Sequence, residues 1–186
     1  MAICGLCKLE KDLKDSHLIP KSIYKYIRNS FPNEGNKLVR VKPDEKKTFS
    51  TDKQVSMYFL CHDCEDKINK NGENFVVPEC QHGKDKFDLL EKIKKAKFTK
   101  NSDGEKWINP MTEKFLNPDA YLYFALSIFW RNSAGSWSDE LEEYKGALGI
   151  YEESIRNYLL NKTNFPENVY LFIYVDHDKE NYSFLS

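Results

Sequence analysis

The sequence predicts an α+β fold, in which an N-terminal module of short strands and two helices is followed by a mainly α-helical extension. Three observations predict it. Two Cys-x-x-Cys pairs, "CGLC" at 4–7 and "CHDC" at 61–64, bracket a run of short β-like segments. Those segments are separated by turn chemistry. In the second half, apolar residues recur at helical spacing. At 186 residues the chain can bury a real core. The division is expected near residue 80, with 1–80 as the cysteine-bearing module and 81–186 as the extension.

The elements follow in order. "LEKDLKDSHLIP" at 9–20 holds a short strand that delivers His17 to its end. Pro20 suits the first turn of a helix, "PKSIYKYIRNS", with Ile23 and Ile27 at i, i+4. "FPNEGNK" at 31–37 breaks that helix with Pro, Asn and Gly. "KLVRV" at 37–41 reads as a short strand, "KPDEKKTFSTDKQ" at 42–54 as a polar loop, and "VSMYFL" at 55–60 as a strand running into the second cysteine pair. That pair then opens a polar helix, and Gly72 argues against its reaching Glu73.

"KFDLLEKIKKAKF" at 86–98 places Leu89, Leu90 and Ile93 on one face of a helix, with lysines on the other. "NPDAYLYFALSIFWR" at 117–131 begins with Asn117 as cap and Pro118 at the first position. It is apolar nearly all round, which predicts the central buried helix. "SDELEEYKGALGIYEESIRNYLLNK" at 138–162 is helical in period, with Gly146 and Gly149 where it kinks or splits. "NVYLFIYVDHD" at 168–178 reads as a buried strand that either pairs with the cysteine module or belongs to a longer chain.

Charged residues make up 31% of the chain and aromatics 14%, a globular composition. The longest apolar run, residues 120–130, is about half of what a bilayer-spanning helix needs, so no membrane partner is expected. The start, "MAICGLCKLEKD", lacks the pattern of a signal peptide, and a cytoplasmic protein is expected. Net charge is only −1, but residues 1–48 hold 11 Lys/Arg against 6 Asp/Glu, and 138–168 hold 7 acidic residues against 3 basic. Any polyanion therefore meets the basic first half, where Lys21, Lys25, Arg28 and Arg40 are the candidate contacts. A solvated mixed-charge surface accounts for the same residues.

Two Cys-x-x-Cys pairs in a reducing compartment read as a tetrathiolate zinc site formed by Cys4, Cys7, Cys61 and Cys64. The 53 residues between Cys7 and Cys61 are long for a compact ribbon, so a structured insert is expected there. One knuckle on a hairpin and one on a helix N-terminus, joined by one zinc, describe a treble clef. The helix end also favours thiolates through its unpaired N–H groups and dipole.

His17, at the end of a strand beside that helix, is placed to take a proton from water, as phosphodiester hydrolysis requires. A divalent metal, Mg2+ or Mn2+, would stabilise the phosphate charge, with Glu65 as its natural carboxylate ligand. Each residue has a plainer reading. His17 can cap the hairpin, and Glu65 can complement the helix dipole. Arg131 can reach a phosphate or cap its own helix with its stem over Trp130.

Cys-x-x-Cys, then "SHLIP" at 16–20, a Gly/Asn turn and "LCHDCE" at 60–65 together resemble the zinc-stapled HNH endonucleases. The likeness is to bacterial HNH-like proteins carrying Ser-His-x-Ile-Pro-Lys and Cys-x-x-Cys-Glu, and it covers roughly residues 1–75. It implies a ββα-metal fold, His17 as general base, Asn36 as the residue orienting that base, and a catalytic metal apart from the structural zinc. Two positions depart from the pattern. The metal-binding Asp before the histidine is Ser16 here, and the final histidine is Glu65.

Two function classes follow. One is a metal-dependent HNH-type nuclease, with DNA as the favoured nucleic acid and, by resemblance, a place in a bacterial defence or mobile-element system. The other is a non-catalytic zinc treble clef that binds nucleic acid, or a protein partner through its helical half.

Overall fold

The computed structural model describes residues 1–30, 38–42, 47–51, 54–80, 87–102 and 105–175; Asn36 and the turn read at 31–37 lie outside them. The architecture is α+β, with small antiparallel sheets and a cysteine cluster at the N-terminus and a helical C-terminal part.

Strands β1 (Ala2–Ile3) and β2 (Glu10–Lys11) pair antiparallel and close around the first cysteine pair. Strand β3 (Leu13–His17) pairs antiparallel with β6 (Ser56–Cys61), so that Leu13 faces Cys61 and His17 faces Ser56. A bulge between Lys14 and Asp15 re-aims the end of β3. Helix α1 (Lys21–Ser30) starts directly after Pro20, as expected.

The insert carries a hairpin of β4 (Leu38–Lys42) and β5 (Lys47–Thr51). The polar loop expected over 42–54 is thus corrected in part. The run Thr48, Phe49, Ser50, Thr51 has the β-branched and aromatic character of a strand, and β4 offers the ladder that satisfies its backbone.

The second cysteine pair opens α2 (His62–Ile68), which passes through a π-helical turn at Asn69–Glu73 into α3 (Asn74–Cys80). Gly72 does not end this helix. A Cβ there would lie 3.0 Å from the Phe124 Cα, so the glycine lets a later helix approach the π turn closely.

In the second half, α4 (Asp88–Lys95) is followed by a hairpin of β7 (Phe98–Ser102) and β8 (Glu105–Ile108), which the helical reading of this half had omitted. Helix α5 (Pro118–Ala134) begins as predicted, with Asn117 Oδ1 accepting from the Ala120 N–H at 3.2 Å. The helix expected over 138–162 is split into 3-10 turns at Asp139–Tyr144 and Gly149–Tyr151 and a final α6 (Glu152–Leu159). Gly146 and Gly149 sit at φ +75 and +50, where glycine ends a helix at little cost.

Residues 168–175 form no strand, and Tyr170 and Tyr174 are each 79% exposed. The buried strand expected there is corrected. Its apolar residues lie on both faces, a pattern that needs a covering layer, and among the described residues only partial cover is found: Phe172 meets Trp107 edge-on at 6.0 Å and Val175 packs against the Val76 cluster.

The core forms around α5. Trp130 is wholly buried against Phe59, while Leu6, Leu60, Ile68, Ile155 and Leu159 complete the same cluster together with Cys4, Cys61 and Cys64. The cysteine module and the helical half therefore share one core. A second, smaller cluster joins Val76, Leu89, Ala120 and Tyr121. Among the described residues, no helix is long and apolar enough to cross a membrane.

Candidate metal centre and histidine site

Each cysteine pair is shaped by its own backbone. In the first, Cys4 N–H donates to the Leu9 carbonyl at 2.9 Å and Lys8 N–H to the Cys4 carbonyl at 3.0 Å. Lys8 sits at φ 62, and this closes a tight knuckle. The Gly5 N–H donates to the Phe59 carbonyl at 2.9 Å, which ties the knuckle to β6. In the second, Cys61 is the extended residue preceding α2, with φ −77 and ψ 165, and Cys64 lies in the first turn.

The four sulfurs lie within 4.8 Å of one another. Cys7 Sγ and Cys61 Sγ are 3.9 Å apart, close to the roughly 3.8 Å edge that a tetrahedron with zinc–sulfur bonds of about 2.3 Å requires. The Cys61 N–H also donates to Cys4 Sγ at 3.3 Å, a bond that favours thiolate at that sulfur.

Four thiols so close cannot all ionise without a counter-charge. The hydrogen bond from Cys64 pulls the Cys4 thiol down to about 4. Cys64 is pushed up, first by sharing its proton with Cys4 and then by burial, and burial raises Cys61. One stabilised thiolate among reluctant neighbours is what a bound dication resolves. The tetrad can hold a metal ion such as zinc, and among the described residues it is the one cluster of three or more ligand groups of this kind.

His17, the last residue of β3, is half-buried and faces Ser56, at the other end of the β3–β6 ladder from Cys61. The preceding Ser16 is buried, and its hydroxyl accepts from the Leu60 N–H at 3.1 Å. It serves the β3–β6 sheet. Glu65 follows Cys64 in the first turn of α2, and its Oε1 is buried with no hydrogen-bond partner. A buried carboxylate oxygen lacking a donor is a suitable ligand for a hard cation.

The π turn then brings Glu73 to Arg131, which also holds the His17 carbonyl. Burial raises the Glu73 carboxyl above its ordinary range and Arg131 opposes that shift; the Glu65 charge adds to it and His17 opposes it. Geometry joins Arg131, the His17 backbone and Glu73, while Glu65 and the His17 ring act on the Glu73 carboxyl through charge. Arg131 is buried on α5, with Nη1 donating to the His17 carbonyl and Nη2 to Glu73 Oε1, each at 2.9 Å. It caps no helix end: its Nε donates to the Ser127 carbonyl one turn back, at 3.2 Å.

Sequence reasoning set Glu73 aside because of Gly72, and gave Arg131 a phosphate or a cap. The helical spacing of Glu65 and Glu73 was the available signal for the first. Nothing local signals the second.

Glu65 Oε1 is the one buried carboxylate oxygen without a hydrogen-bond partner among the described residues, and three or more ligand groups come together only at the cysteine tetrad. Of the basic residues, Lys21 and Lys25 are exposed on α1 and Arg28 is half-buried there. Their i, i+4, i+7 spacing puts them on one side of the helix that follows His17. Arg40 stands in β4. No family model, no curated protein and no solved structure matches the chain.

Proposed function

We propose that the chain is a metal-dependent nuclease of the HNH type, hydrolysing phosphodiester bonds beside a structural zinc held by Cys4, Cys7, Cys61 and Cys64. The observation that carries this reading is the buried, unpaired Glu65 oxygen, on a carboxylate whose charge, like that of His17, acts on Glu73. A zinc on the tetrad would fix the start of α2, and hence Glu65, relative to the β3–β6 pair, where Cys61 faces Leu13.

His17 accepts the proton of the attacking water, whose oxygen then displaces one ester oxygen from phosphorus. A divalent cation, Mg2+ or Mn2+, would supply charge neutralisation at the phosphate and the leaving oxygen, with Glu65 as its protein ligand. Lys21, Lys25 and Arg28 on α1, with Arg40, position the strand by phosphate contacts, which carry no sequence preference. Asn36 orients the base by resemblance alone. DNA is the favoured substrate, the cytoplasm the expected location, and a bacterial defence or mobile-element role follows the same resemblance.

One observation favours a second reading. The Ser16 hydroxyl is committed to the sheet, so the site lacks the aspartate that the resemblance calls for. A treble clef that binds nucleic acid, or a protein through its helical half, without cleaving would tolerate that loss.

The test is Glu65→Gln against wild type, both zinc-loaded, on plasmid and single-stranded substrates over a titration of Mg2+ or Mn2+. The nuclease reading expects Glu65→Gln to need at least tenfold more divalent ion for equal cleavage. Equal metal dependence would remove Glu65 from the site.

A further inference from the structure

We infer that Arg131 is the positioning residue through which the helical half aims the His17 imidazole; this rests on the nuclease reading above. Its guanidinium is a planar fork whose nitrogens reach three elements at once. Nη1 bonds the His17 carbonyl at 2.9 Å, Nη2 bonds Glu73 Oε1 at 2.9 Å, and Nε bonds the Ser127 carbonyl at 3.2 Å. The partners belong to β3, the π turn and α5 itself. A fixed planar donor set is the chemistry that can hold such a geometry; a lysine supplies the charge without the fork.

The grip falls where it matters. β3 ends at His17, and the next backbone bond on that side is Leu18 N–H to the Val55 carbonyl at 3.1 Å. Between these two bonds the peptide plane after His17 is fixed, and with it the direction in which the side chain leaves the backbone. Arg131 is itself held. Its own carbonyl accepts from Trp137 Nε1 at 2.6 Å and from the Gly135 N–H at 3.0 Å.

A buried guanidinium needs a compensating charge, and Glu73 supplies it. The π turn finds a role here, since it places that carboxylate under α5. Arg131 touches no reacting atom and acts through the His17 backbone.

The test uses zinc-loaded full-length Arg131→Lys and Arg131→Gln. Four quantities are read: zinc content, affinity for an uncleaved oligonucleotide in Ca2+, kcat with KM, and the NMR resonance of the His17 ring Cε1–H, assigned by its loss in His17→Ala. The expected result for Arg131→Lys is full zinc and unchanged oligonucleotide affinity and KM. Its kcat falls about 10- to 100-fold, as a misplaced base implies, and the His17 resonance shifts. An unchanged kcat with an unmoved resonance overturns the inference.

Should Arg131→Gln fail to fold, Glu73→Gln replaces it. That variant frees Nη2 and leaves Nη1 on the His17 carbonyl, so a smaller loss of kcat is expected than in Arg131→Lys; an equal or larger loss assigns the effect to Glu73 and overturns the inference. If the wild type cleaves nothing, the nuclease reading fails by itself and the resonance still decides. A shift in Arg131→Lys keeps Arg131 as the residue that places His17, and an unmoved resonance removes it.

Discussion

The Phe59 and Trp130 rings stack with centroids 5.6 Å apart and 28° between their planes. Phe59 belongs to the strand that ends in Cys61, and Trp130 to the central helix of the other half. The Phe59 ring also meets Trp137 edge-on at 5.3 Å. One aromatic from the cysteine module is therefore sandwiched into the core of the extension. Trp130→Ala is expected to cost about 3–5 kcal/mol and to speed loss of zinc to a chelator. Urea unfolding of the zinc-loaded proteins measures the first and a chelator chase the second. A change in stability without a change in zinc loss would uncouple the two halves.

The same ring constrains the first knuckle. A Cβ on Gly5 would lie 2.4 Å from Phe59 Cε2, and Phe59 is pinned by the two tryptophans. The knuckle, and not the ring, must therefore yield. Gly5→Ala is expected to destabilise by about 1–3 kcal/mol, in the manner of overpacking, and to weaken zinc retention. Competition with a chromogenic chelator reads the second effect, and wild-type retention would show that the ring moves instead.

With no metal bound, the four sulfurs pack among Leu6, Leu60 and Ile68 with no cation to balance thiolate charge. Chelation is expected to abolish the near-UV circular dichroism of Trp130 and Trp137. Zinc binding should release protons, and affinity should fall as pH drops, because protons compete for the thiolates. Calorimetry in buffers of different ionisation enthalpy counts those protons. Co2+ in place of zinc should give the visible bands of a tetrahedral tetrathiolate.

Arg156 joins the extension to the first knuckle, with Nη1 donating to the Leu6 carbonyl at 2.6 Å while Nε and Nη2 hold Glu153. The hydrogen bond to Arg156 pulls the Glu153 carboxyl from 4.5 to about 2. A depressed carboxylate contributes stability that is fully present above 4.5 and lost as pH falls through about 2. Glu153 is largely exposed, so screening limits the contribution to about 0.5 kcal/mol or less. Glu153→Gln is expected to lie below wild type at pH 7 by that amount and to converge on it in acid. A constant gap between the two proteins at all pH values would contradict this.

How much of this was legible in the sequence depended on how local the signal was. The cysteine spacing, the strand ending in His17 and the Asn117 cap are local, and the structure bears them out. The continuation of α2 through Gly72 was not, because the reason for that glycine is Phe124, 52 positions away in sequence. The hairpin of β7 and β8 carried a readable signal in the Asp103–Gly104 pair between "FTKNS" and "EKWI", but the preceding lysine-rich helix obscured it. Residues 168–175 show the opposite failure. Their apolar run is real, yet a run of that kind states a need for cover and does not supply it. Arg131 was legible only as a charge at the end of an apolar helix. Its partners lie 114 and 58 residues away, and only the packed chain brings them together.

The central claim is that a hydrolytic histidine works beside a zinc staple that it does not share. The direct measurement is single-turnover cleavage of labelled DNA in Mg2+ or Mn2+ by wild type and His17→Ala, with zinc content determined on the same samples. The account predicts one zinc per chain in both proteins, cleavage by wild type, and loss of cleavage in His17→Ala with DNA binding intact. Full zinc occupancy with no cleavage by either protein, or equal cleavage by both, would contradict it.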